Sequence, residues 1–125
     1  MPYYLRRYFF VLIIFLLFSC SKKNAQHYIE EGIKYTEEQD YAKAESSFKK
    51  AIETDPKNAL AHYTLGGIYN YNDMLEDAIR EFKKAMELDP LYPDPHYSLG
   101  FVYEKMKMDD KAHEEFAKFE KLKNR

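Results

Sequence analysis

The sequence predicts an all-α array of six helices, built from three copies of one unit and preceded by a short apolar leader. The first observation is a period. Gly32, Gly66 and Gly100 stand 34 residues apart, and Tyr35, Tyr69 and Tyr103 keep the same spacing. So do Ala44, Ala78 and Ala112, then Phe48, Phe82 and Phe116, then Ala51 and Ala85, and Pro56 and Pro90. The second observation is helical spacing inside each copy, as in Ala44–Phe48–Ala51 and Ala78–Phe82–Ala85, where apolar residues recur every three or four positions. The third is punctuation: Asp55-Pro56 and Asp89-Pro90 end a helix because the residue before proline is pushed out of the α region. A period this long marks one supersecondary unit copied and stacked, an elongated repeat protein and not an enzyme domain around a single core.

Taken in order, helices are expected at 25–38, 42–54, 59–71, 76–88, 93–106 and 110–122, with bounds good to about ±3 residues. The first helix of each copy carries the repeated glycine and tyrosine. Glycine inside a helix costs about 1 kcal/mol relative to alanine, so three at one structural position imply close approach by a neighbour. The second helix of each copy carries the repeated Ala and Phe, small residues for close packing beside a ring that fills the gap. Pro93 and Pro95 suit the first turn of the fifth helix, where the missing N–H is not needed.

This pattern resembles the tetratricopeptide repeat, a 34-residue helix–turn–helix unit. The first copy supplies Tyr28, Gly32, Tyr35, Ala44, Phe48, Ala51 and Pro56, with Glu31 in place of the family's leucine. The second supplies Leu65, Gly66, Tyr69, Ala78, Phe82, Ala85 and Pro90, with His62 at an aromatic position. The third supplies Leu99, Gly100, Tyr103, Ala112 and Phe116, with His96, Phe119 and Asn124 as departures. The resemblance implies a right-handed α-α superhelix with repeats at 25–58, 59–92 and 93–125. Where the family's hairpin turn usually has glycine, this chain has Gln39, Asp73 and Lys107, so strained turns are expected there.

The leader combines Arg6 and Arg7, no acidic residue, and an apolar run over residues 8–18. Eleven residues fall short of the roughly 20 needed to span a bilayer but suit the core of an export signal. Leu17-Phe18-Ser19-Cys20 then resembles the bacterial lipoprotein box, which implies a cleaved signal peptide at 1–19, a lipidated Cys20 and a tether over 20–24. Two or more acyl chains make such an anchor stable. Cys20 is the single cysteine of the chain, so no internal disulfide can form. Ser21, in place of the Asp of the best-known sorting rule, favours an outer-membrane location facing the periplasm.

Charge and motifs exclude several functions. The chain has net charge −2, and removal of Arg6 and Arg7 with the leader leaves 17 basic against 21 acidic residues. A mildly acidic body is a poor nucleic-acid binder, because such binding rests on a basic surface that releases counterions. Phosphate-binding, nucleophile-elbow and zinc-protease motifs are lacking, so no cofactor or metal is expected and the protein is read as a non-enzyme. His62 and His96 lie a full repeat apart and are read as packing residues. His113, Glu114 and Glu115 are read as a solvated helix face.

What remains is binding to another envelope protein or peptide segment, with the chain as scaffold or adaptor. The resemblance places the groove on the first helices, and there it selects Ile29, Ile33, Tyr63, Gly67, Asn70, Tyr71, Tyr97, Phe101 and Lys105. One subclass of the family grips a terminal carboxylate with Lys and Asn where this chain has Ile29 and Ile33, so that function is rejected. Gly67 is expected to leave a pocket between Tyr63 and Tyr97. The alternative is a structural role, with self-association through Ala112, Phe116, Phe119 and Leu122, a stripe that a following helix would cover and that charged residues including Glu115 surround.

Overall fold

A computed structural model describes residues 23–125. The expected signal peptide 1–19 and Cys20 lie outside the described residues. Six helices follow one another: α1 (Ala25–Glu37), α2 (Tyr41–Thr54), α3 (Ala59–Tyr71), α4 (Leu75–Leu88), α5 (Asp94–Lys105) and α6 (Asp109–Lys123). The bounds lie within about two residues of those expected from the sequence, inside the usual scatter of helix ends.

Helices pair as hairpins, α1 with α2, α3 with α4 and α5 with α6, and each hairpin packs on the next through α2–α3 and α4–α5. The first helices also touch one another directly, α1 with α3 and α3 with α5. Each unit therefore contacts only its neighbours, the arrangement of a solenoid, and α1, α3 and α5 line its inner face.

The hairpin turns share one geometry. Gln39, Asp73 and Lys107 have φ of 60°, 56° and 59°, in the left-handed region. In each turn the next residue donates its N–H to the repeated tyrosine's carbonyl: Asp40 to Tyr35 (2.8 Å), Met74 to Tyr69 (2.9 Å) and Met108 to Tyr103 (2.9 Å). The left-handed residue donates three residues back, to Thr36, Asn70 and Glu104. These are the two bonds of a Schellman cap, which satisfies carbonyls that the helix end would leave open. The strain expected at these non-glycine turns is present as left-handed backbone, held by the same pair of bonds each time. Helix starts are less uniform. Asn24, Asp40 and Asn58 accept from the N–H three residues on, whereas Met74, Pro93 and Met108 give no side-chain cap.

The core runs continuously through the array as alternating small and large residues. Ala44, Ala51, Ala61, Ala78, Ala85 and Ala112 are buried, as are Phe48, Phe82, Leu65, Leu99 and Val102. The repeated glycines explain how the hairpins close. A Cβ on Gly32 would lie 2.5 Å from the Phe48 ring, one on Gly66 would lie 2.8 Å from the Phe82 ring, and Gly100 is equally blocked by Phe116. Gly67, one residue along, faces open space.

Adjacent glycines should therefore respond with opposite signs. Gly66→Ala forces the buried Phe82 ring to move and should lower stability by about 1–3 kcal/mol. Gly67→Ala gains helix propensity without a clash and should raise stability by about 0.5–1 kcal/mol. Urea unfolding followed by circular dichroism measures both. Lys107→Gly should add about 1 kcal/mol in the same assay by relieving the left-handed backbone, and a loss of stability there would show that the turn is unstrained.

Candidate peptide-binding groove

The inner face opens into a pocket of about 400 Å³ between the first and second repeats. Ile33, Thr36 and Glu37 of α1, Thr64, Gly67, Ile68 and Tyr71 of α3, and Tyr41 and Phe48 of α2 line it. Gly67 makes the opening: with no side chain at that point, α3 presents bare backbone where the equivalent residue of α1, Ile33, projects. Tyr41 and Tyr71 stack at one side, ring centroids 3.9 Å apart. Tyr71 is 61% exposed and Ile33 42%, so both remain accessible to solvent.

The structure redistributes the residues expected in the groove. Ile29 is fully buried in the core and is not part of this pocket's lining. Its aliphatic side chain ends inside the array, whereas the tyrosines at the same repeat position are long enough to reach outward. Tyr63 is half-buried against Phe82 and Tyr92, with centroids 5.8 and 5.2 Å away, and its Oη lies 3.4 Å from Ser98 Oγ. Burial, with the neighbouring Tyr63 second, raises the Tyr92 phenol well above its ordinary value and keeps it neutral. Tyr63 therefore holds repeats together. The pocket at Gly67 consequently opens towards Ile33 and Tyr71, not between Tyr63 and Tyr97 as expected. Lys105 donates to the Asn70 carbonyl (3.1 Å) and Asn70 Oδ1 (3.0 Å) and pairs with Asp73 (3.3 Å), tying α5 to the end of α3.

At the third repeat, two surfaces expected to be separate are one. Tyr97 and Phe101, 44% and 42% exposed, pack edge to face at 4.8 Å. Phe116 lies 5.8 Å from Tyr97 and 5.3 Å from Phe101, and Phe119 lies 4.9 Å from Tyr97. Ala112 is not part of any surface stripe: it is buried within the third hairpin. Phe119 and Leu122 are half-buried.

Two further residues depart from the sequence-based expectation. Glu115 is buried, not solvated, and its carboxylate takes His96 Nδ1 at 2.6 Å and Lys118 Nζ at 2.9 Å. The second repeat has the same pair, His62 Nδ1 at 2.7 Å from Glu81, and His62 Nε2 lies 2.9 Å from the Pro56 carbonyl oxygen. Both His62 ring nitrogens thus meet an oxygen partner, one on α4 and one just beyond the end of α2. The first copy replaces the pair with Tyr28 and Ser47, and Ser47 donates to Glu31 at 3.1 Å. His and Glu thus change together between copies, a signal present in the sequence. Among the pocket residues that the sequence does not place in the groove is Tyr41. It sits at the start of α2, where neither helical spacing nor the repeated residues point to it.

Among the described residues, no group of three or more His, Cys, Asp or Glu side chains is placed to hold a metal ion. No helix among them is long and apolar enough to cross a membrane.

This architecture is that of a helical-repeat solenoid with an open inner groove. Comparison with known families specifies the repeat: residues 35–80 match a tetratricopeptide repeat model and residues 68–107 match a second TPR repeat model. The chain carries tetratricopeptide repeats. Among solved structures it is similar to MamA, with 30% identity and a TM-score of 0.77 over 86% of this chain and 63% of that one. The chain thus spans less than two thirds of that relative's length. A point mutant of MamA matches at 27% identity and TM-score 0.72, over 82% of this chain and 74% of that one. The second TPR of Spaghetti (RPAP3), solved with an HSP90 peptide, shares the fold at 22% identity and TM-score 0.77, over 81% of this chain and 94% of that one. No curated protein sequence matches the chain.

The histidine–glutamate pairs should prove structural. Glu81→Ala leaves the buried His62 nitrogen without its partner and should cost about 1–3 kcal/mol in urea unfolding, with groove binding retained on the folded variant.

Proposed function

We propose that the chain is a non-catalytic docking module of the bacterial cell envelope, lipid-anchored through Cys20 and capturing a segment of another envelope protein in its inner groove. The observation that carries this is the apolar pocket formed by Gly67, Ile33 and the Tyr41–Tyr71 stack. It is concave, mostly apolar and open, with exposed aromatic surface beside it, the combination that gives large contact area at small entropic cost. The RPAP3 module of the same fold holds a peptide, which supports a peptide-binding role in general terms. Three of the last four residues of the ligand there are acidic, and the Lys and Asn expected of a carboxylate clamp are Ile29 and Ile33 here.

The membrane arm rests on the leader and Cys20, with delivery to the periplasmic face of the outer membrane. A second role, self-association, has one observation in its favour: the contiguous Tyr97, Phe101, Phe116 and Phe119 cluster on the third repeat.

One experiment addresses all three. A photo-crosslinking residue at Tyr71 or at Phe101, in native envelopes, should capture a heterologous envelope protein at Tyr71, and capture should fall at least tenfold with Gly67→Leu, an exposed position. Mass spectrometry of the same sample should find the mature chain starting at a lipidated Cys20. Crosslinks at Phe101 to a second copy alone would favour self-association, and an intact, unmodified leader would remove the anchor.

A further inference from the structure

The groove's charge says what kind of segment fits it. Glu37 and the largely exposed Tyr71 line the same pocket, so a carboxylate and an aromatic ring both border it. Glu30 stands at the repeat position that Thr64 occupies in the pocket wall, and Glu104 at the position that Thr36 occupies. All three glutamates are exposed, and none has an ion-pair partner among the described residues. Glu30 accepts only from the neutral Gln26 amide, at 3.0 Å. The base on this face is Lys105, and it is already committed to Asn70 and Asp73.

Resting on the groove function proposed above, we propose that the captured segment is cationic: a peptide carrying one large apolar side chain for the Gly67 pocket, flanked by Lys or Arg. The apolar side chain fills the space between Ile33 and Ile68 that glycine leaves. A neighbouring guanidinium or ammonium lies over the face of Tyr71 beside Glu37, where ring quadrupole and carboxylate attract it together. Further bases along the segment meet Glu30 and Glu104. An acidic segment meets the opposite: three carboxylates without counter-charges repel it, so the groove discriminates by repulsion as well as attraction. The preference is thus reversed from that of a repeat built to hold an acidic peptide end.

A random library of 12-residue displayed peptides, panned against the full-length chain in mild detergent, tests this. Recovered peptides should pair one Leu, Ile, Met, Phe or Trp with two or more Lys or Arg, and fluorescence anisotropy should show binding that weakens as salt rises. The double variant Glu37→Gln/Glu104→Gln should bind them about tenfold more weakly or worse, a loss of roughly 1.4 kcal/mol, while keeping its melting temperature. Gly67→Leu should abolish binding. Recovery of acidic or uncharged peptides that still need Gly67 would overturn the cationic preference and leave the groove intact. Recovery of no peptides, or of peptides indifferent to Gly67→Leu, would overturn the groove itself.

Discussion

The contact between a bare glycine backbone and a phenylalanine ring, made once in each hairpin, governs how this array closes. Gly32 under Phe48, Gly66 under Phe82 and Gly100 under Phe116 let the two helices of each unit approach to the thickness of one ring. Glycine is unfavourable in a helix, and the buried ring and tight interhelical packing offset that. Everything further out depends on this spacing. It sets where the left-handed turns must return the chain, and it brings the small alanines of α2 and α4 against the next unit. It also fixes the separation of α1, α3 and α5 along the inner face.

The same residue type serves a second purpose one step along α3. Gly67 has no neighbour to accommodate, and its missing side chain becomes the floor of the pocket. Two consecutive glycines thus differ in their surroundings: one is required by a ring, and the other leaves open space in the pocket. Around that space, Tyr41 and Tyr71 brace each other by stacking. One wall of the pocket is therefore a stacked aromatic pair.

Much of the architecture can be read directly from the chain. Helix positions follow from the 34-residue period, and the strained turns from Gln39, Asp73 and Lys107 standing where glycine is usual. The groove is less legible. Ile29 belongs to it by repeat position, yet an aliphatic side chain there ends inside the core while Tyr97 emerges. Glu115 reads as one charge among several on a polar helix, yet its pairing with His96 lies across two helices. Tyr41 enters the pocket through contact with α3, the next helix along the chain, and no local pattern announces such a meeting.

The sequence by itself determined the repeat, because its period, spacing and punctuation are local and are copied along the chain. It also determined the mild acidity of the chain, which follows from composition alone. Only the tertiary structure decided which of those residues reach the groove, which are consumed by packing, and where the pocket opens. That division has a physical cause. Helix formation depends on residues three and four apart, whereas exposure depends on the length of a side chain relative to neighbours from other helices. Gly67 belongs to both descriptions: its place follows from the period, and its open space exists only once α1, α2 and α3 are packed together.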